Sequence, residues 1–270
     1  MAFPIERLKR IPTRLFVDPL EPVLPRLAGY PRVVEGVPGG HRLYVIGDIH
    51  GCIDLLREKH ARIEADVTTN GAAVECTVIY LGDYIDGGPS SRDVIETVMG
   101  DAPKGTKKIT LMGNHEKLLL DFLDDARAGE RWLELFGGET LESYGVTVPS
   151  GYVGRKQLLA MQSALRTKLP KKHIHFLKSL RPYYICGDYA FVHAGIRPGT
   201  SISDQSPEDL LWIRNEFLSS RMEHEKVIVH GHSFSRRPRV RAYRIGIDTG
   251  SFFTGKLACL VLEQRAHRFL

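Results

Sequence analysis

The chain has 270 residues, 43% hydrophobic and 26% charged, with a formal net charge of +5; that is enough apolar content for one well-packed core. It contains no run of about 18 uninterrupted apolar residues to serve as a transmembrane helix, and Pro4, Pro12, Pro19, Pro22 and Pro25 break up the N-terminus, so neither membrane insertion nor a secretory signal is expected. The basic clusters Lys107-Lys108, Lys171-Lys172 and Arg236-Arg237 are only pairs, which speaks against a nucleic-acid partner, and the net positive charge suits anionic substrates such as phosphate esters, while Cys52, Cys76, Cys186 and Cys259 lack any C-x-x-C spacing and read as buried, reduced thiols of a cytoplasmic protein.

Residues 1–40 form a proline-rich arm closed by Gly36, Gly39 and Gly40, expected to lie extended on a single domain spanning 41–270. A strand at 43–47 stops at Gly47-Asp48-Ile49-His50-Gly51, and a helix follows from Cys52 to Val67. A second apolar strand, 76–82, runs into Asp83-Tyr84-Ile85-Asp86-Gly87-Gly88-Pro89, after which Ser90 or Ser91 is placed to cap a helix. A third strand, 107–112, ends in Gly113-Asn114-His115-Glu116 and feeds another helix. Three strand–helix units predict a parallel sheet covered by helices, with ligand sites off the carboxyl ends of its strands.

Residues 130–180 read as mostly helical and are expected to cap one side of the site. Two strands then flank the turn Gly187-Asp188, the second ending in His193-Ala194-Gly195. Strands at 227–229 and 245–247 end in His230-Gly231-His232 and Asp248-Thr249-Gly250, and a last strand covers 256–263. This half suggests a second sheet packed on the first.

Asp48, His50, Asp83, Asn114, His193 and His232 all follow a strand-ending glycine or apolar run. Carboxylate, imidazole and amide oxygen suit manganese, iron or zinc better than calcium, and no thiolate is near to argue for structural zinc. Six ligands exceed what one catalytic ion needs. They suit two ions about 3.5–4 Å apart that share a carboxylate.

The ordered blocks Gly47-Asp48-Ile49-His50-Gly51, Gly82-Asp83-Tyr84-Ile85-Asp86, Gly113-Asn114-His115-Glu116, His193-Ala194-Gly195 and Gly231-His232 resemble the signature of the calcineurin-like metallophosphoesterases. Within that family the chain looks like the phosphoprotein phosphatase branch, and the bacterial serine/threonine phosphatases in particular. Leu211-Trp212-Ile213-Arg214 and the stretch from Gly137 to Gly145 are also similar to that subgroup. The resemblance implies an α/β fold in which two sheets form a β-sandwich flanked by helices, in four αββα layers. It implies two divalent ions, manganese foremost with iron or zinc as alternatives. Asp48, His50 and Asp83 would hold one ion, and Asp83, Asn114, His193 and His232 the other. His115 would be the general acid, oriented by Asp86, and Arg214 and Asn114 would bind the substrate phosphate. Hydrolysis would proceed in one step by a metal-bridging hydroxide.

The chain departs from the family at Gly87, where the pattern has an arginine that forks onto the phosphate. Arg92, one turn into the next helix, is the candidate replacement. The expected substrate is a phosphoprotein or another phosphoester, with a dinucleoside polyphosphate as the alternative. A weakly active phosphoprotein-binding regulator is a third reading, motivated by Gly87. His230 is expected on the opposite face of its strand from His232, Asp248 in a turn or behind a metal ligand, and Glu116 as a charge complementing a helix start.

Overall fold

The computed structural model describes residues 36–70 and 74–270. Of the expected arm, residues 1–35 lie outside the described residues. Val37, just beyond them, is buried in the core and its N–H donates to the Gln264 carbonyl.

In chain order the elements are β1 (His41–Ile46), α1 (Ile53–Asn70), β2 (Glu75–Tyr80), α2 (Ser91–Met99), β3 (Thr106–Thr110), α3 (Asn114–Asp124), α4 (Ala128–Glu134), α5 (Gly137–Ser143), α6 (Arg155–Lys168) and α7 (Lys171–Lys178). The second half supplies β4 (Tyr183–Cys186), β5 (Tyr189–Val192), α8 (Pro207–Trp212), α9 (Asn215–Leu218), β6 (Val227–His230), β7 (Arg239–Val240), β8 (Arg244–Gly246), α10 (Ser251–Thr254), β9 (Cys259–Glu263) and β10 (Ala266–Phe269). One sheet has the order β10-β9-β1-β2-β3, the other β4-β5-β6-β8-β7. β1, β2 and β3 run parallel, as do β5, β6 and β8, while β9 pairs antiparallel with both β1 and β10, and β4 and β7 add antiparallel edges to the second sheet.

Strand periodicity builds the layers. Successive side chains leave a strand on opposite faces, so a strand buried on both faces reads as a continuous apolar run. In β1, Leu43 and Val45 join the layer between the sheets, and Tyr44 and Ile46 join the helix-covered layer. β2 divides in the same way, with Ile79 between the sheets and Val78 and Tyr80 under the helices. β5 sends Tyr189 and Phe191 inward, but Ala190 and Val192 outward onto Ile202, Leu210, Ile213 and Phe217. The result is the expected αββα sandwich. No helix among the described residues is long and apolar enough to cross a membrane.

Two local readings are corrected. β10 was not anticipated, because Ala266–Phe269 is exposed and lacks an apolar pattern; it forms only by pairing back onto β9. Neither serine caps α2 with its side chain; the Ser91 hydroxyl instead accepts the Asp86 N–H. Lys108 of the Lys107-Lys108 pair turns its ammonium onto the Val98 and Met99 carbonyls at the end of α2.

Candidate active site

The carboxyl ends of β1, β2 and β3 and those of β5, β6 and β8 open onto the same place. Asp48 and His50 follow β1, Asp83 and Asp86 follow β2, and Asn114 and His115 open α3 just beyond β3. His193 and His232 arrive from β5 and β6 of the other sheet. All eight side chains are buried. His50, Asp83, Asp86 and His232 hold left-handed backbone, with φ of 47°, 51°, 70° and 59°. Non-glycine residues rarely adopt that region, and such strain concentrates where a side chain must be aimed.

Asp83 is the hub. Its Oδ2 lies 3.7 Å from His50 Nε2, 3.4 Å from His193 Nε2 and 3.8 Å from His115 Nε2. Asn114 Oδ1 stands 2.7 Å from His193 Nε2 and 2.8 Å from His232 Nδ1. Asp48 Oδ2 accepts the His232 N–H at 2.7 Å. A Cβ at Gly231 would collide with that carboxylate, which explains the glycine between the two histidines of β6.

These groups fit divalent cations. His50 Nδ1 and His193 Nδ1 lie 3.0 and 2.9 Å from the Ile85 and Leu81 carbonyls, which turns each Nε2 toward Asp83. Burial lowers His50 to about 4 and His232 well below the ordinary range, so both imidazoles are neutral. Burial, with Asp248 and Asp83 nearby, pushes the Asp48 carboxyl well up. Its Oδ1 and His232 Nε2 are buried without a partner. The Asp83-His193-His232 and His50-Asp83-His115 groups each bring their ligand atoms within 4.8 Å of one another. Buried carboxylates and neutral imidazoles in this arrangement need cationic charge.

His115 differs from the other histidines. Its Nδ1 lies 2.7 Å from Asp86 Oδ2, and the same oxygen accepts from Trp132 Nε1 at 2.8 Å. Thr140 donates to Asp86 Oδ1 at 2.5 Å. Burial would lower His115, but the Asp83 and Asp86 carboxylates outweigh it and hold the imidazolium up to about 9. His115 therefore presents an N–H to the cavity at Nε2 rather than a lone pair.

A family model for calcineurin-like phosphoesterases matches residues 41–254. The chain belongs to this family. The bis(5'-nucleosyl)-tetraphosphatase (asymmetrical) of Bacillus velezensis is 27% identical over 233 residues, covering 79% of this chain and 86% of that one. Serine/threonine-protein phosphatase 2 of Salmonella typhimurium is 26% identical over 222 residues, covering 80% and 90%. A cold-active protein-tyrosine phosphatase from a psychrophilic Shewanella shares the fold, with a TM-score of 0.53 at 15% identity over 88% of this chain and 84% of that one.

Calcineurin-like phosphoesterases use a dinuclear metal centre, and this member's strand ends bring together residues able to hold one. Arg214 also lines the cavity, beside Asp248, His232 and His115. Arg92 does not. It is exposed on α2, where its N–H donates to Ser143 and its charge bears on Tyr144 and His173. Adjacent helix positions point about 100° apart, so with Ser91 turned to Asp86, Arg92 is turned away. His230 points to the opposite face as expected, its ring 5.1 Å from Phe217. Asp248 accepts the Gly250 N–H in a turn and also borders the cavity.

Four residues carry more than their sequence positions suggested. Trp132 and Thr140 hold Asp86 from the helical insert, and the glycine of Gly137 is what lets α5 start against the Trp132 ring. Phe252 forms part of the cavity wall. Glu116 is no mere helix-start charge, because its carboxylate accepts N–H groups from Gly113, Asp83, Tyr84 and Ile85. It thereby fixes the loop that aims Asp83 and Asp86. Glu116→Gln turns an amide donor toward those N–H groups and is expected to cost about 2–4 kcal/mol in urea unfolding. A change below about 0.5 kcal/mol would show that the loop holds its shape unaided.

Proposed function

We propose that this calcineurin-like phosphoesterase is a metal-dependent phosphomonoester hydrolase acting on phosphoproteins of the serine/threonine class. The observation that supports it is the buried His115–Asp86 pair. Here an imidazolium kept charged by a triply hydrogen-bonded carboxylate stands next to a group of metal-competent residues. In this reading Asp48, His50 and Asp83 hold one divalent ion, and Asp83, Asn114, His193 and His232 the other, with manganese foremost and iron or zinc as alternatives. When bound, the ions supply charge to the phosphoryl oxygens and an activated water. Asp83 bridges the two sets. Arg214, a half-buried guanidinium facing the Asp48, Asp83 and Asp248 carboxylates, holds the substrate phosphate together with Asn114. His115 gives its Nε2 proton to the departing alkoxide, and Asp86 keeps the ring charged and oriented for that transfer. Four free cysteines are in keeping with a cytoplasmic setting.

A second reading, hydrolysis of dinucleoside polyphosphates, is favoured by the Bacillus relative. It also draws on the exposed pair Arg236-Arg237, which follows closely on cavity-lining Phe234. The test is phosphate release from a phosphoserine peptide, diadenosine tetraphosphate and p-nitrophenyl phosphate with manganese. Turnover of the peptide and the aryl ester, abolished by chelator and restored by manganese, is the expected result. Turnover confined to the dinucleotide would support the second reading. Peptide binding without turnover of any of the three would leave the chain a regulator.

A further inference from the structure

The cavity beside His115 has an aromatic wall that the metal residues and the acid do not account for. Phe136, Phe234, Phe252 and Phe253 all line it, and each is partly exposed. The rings contact one another edge to face or tilted, with Phe136–Phe252 centroids at 5.3 Å, Phe252–Phe253 at 3.7 Å and Phe234–Phe253 at 6.4 Å. Phe136 is held there by left-handed backbone with φ 67°, an uncommon conformation for a bulky residue.

Gly87 explains how the wall arises. A Cβ at this position would stand 2.8 Å from the Phe252 ring, and the backbone φ is 75°. Its N–H points to the Phe136 carbonyl at 3.4 Å. A side chain at 87 and the ring at 252 thus compete for one space. Where the sequence pattern led us to expect an arginine for the phosphate, the chain presents an apolar ring face.

The wall's position selects its occupant. His115 and Phe252 are joined through His50 by ring-to-ring steps of 4.8 and 5.1 Å. Aromatic pairs settle at centroid separations of about 4.5–7 Å, and an ester oxygen sits about 3 Å from the acid that protonates it. A ring attached directly to the ester oxygen is the shortest leaving group that brings an aromatic face from the acid to such a wall. We propose that the Phe136–Phe252–Phe253 wall is a subsite for the aryl leaving group of a phosphate monoester, of which a phosphotyrosine side chain is the protein-borne form.

This proposal deepens the phosphomonoesterase reading and rests on it. The test is affinity for non-hydrolysable probes in the manganese-loaded protein, measured by calorimetry. Phenylphosphonate is expected to bind about tenfold tighter than methylphosphonate. In Phe252→Ala that preference should fall to within about twofold, and Phe252→Leu should lie between, with inorganic phosphate binding unchanged in both. A wild-type ratio near one, or a ratio indifferent to both substitutions, would overturn the proposal. So would a larger preference for the phosphonate analogue of adenosine 5'-monophosphate over that of ribose 5-phosphate, which would assign the wall to a nucleobase. Neither phosphonate is turned over, so the affinities decide the subsite even if the substrate panel shows no hydrolysis, and the two failures are seen separately.

Discussion

His115→Asn is expected to lower kcat on a phosphoserine peptide by about 10²- to 10⁴-fold, the usual worth of a positioned general acid, while bound metal stays at the wild-type level. The serine alkoxide is a poor leaving group and depends on the Nε2 proton, whereas nitrophenolate departs with little help. Loss on p-nitrophenyl phosphate should therefore be much smaller, and equal losses on the two substrates would remove His115 from the acid role. The same argument sets a pH profile. Asp83 and Asp86 hold the imidazolium up to about 9 without cations. Cations beside Asp83 weaken that support, so the loaded enzyme should lose its acid below 9. The folded protein carries the proton below this point and sheds it above, so kcat on the peptide falls as pH rises through the limb. Rates measured across roughly pH 6–10 should show the limb with the peptide, and its absence in His115→Asn.

Asp83→Asn is expected to be the most damaging single-atom exchange in the protein. Oδ2 is the atom on which His50, His193 and His115 converge, and burial, outweighed chiefly by His193 and His115, leaves the carboxylate well below its ordinary range. An amide offers one neutral oxygen where an anion faced both groups. Metal content should drop below one ion per chain, and kcat/KM should fall by about 10³-fold or more, several kcal/mol of lost charge stabilisation. Elemental analysis after desalting decides the point. Two ions retained in Asp83→Asn would mean that the bridge lies elsewhere. Oδ1 accepts the His115 N–H, so unfolding should be measured alongside to separate a lost ligand from a displaced α3.

The strand ends were legible because their signal is local. A buried strand is an apolar run, and the residue that breaks it has left the sheet at its carboxyl end. Asp48, Asp83, Asn114, His193 and His232 announce themselves in this way, and the parallel order of β1 to β3 gathers the first three. The supports of the site were not legible. Trp132 and Thr140 reach Asp86 across 46 and 54 residues, and Glu116 reaches back 33 residues to the Asp83 N–H. No spacing rule encodes such contacts. Arg92 was misplaced because nearness in sequence fixes only the turn of a helix, not its facing. Phe252 escaped notice because one of two adjacent phenylalanines reads as ordinary core, and only the ring's position against Gly87 gives it meaning.

The split origin of these parts has a consequence for how such a protein can diverge. The candidate metal ligands follow the ends of five strands, β1, β2, β3, β5 and β6, where a shift of register would disperse them. The proton-holding contacts of Trp132 and Thr140 and the strained Phe136 ring all come from one short span, α4 to α5. One edge of the leaving-group wall and the supports of the acid pair therefore sit on the same span. A lineage could trade one substrate for another by rewriting that span, with the ion-binding chassis inherited unaltered.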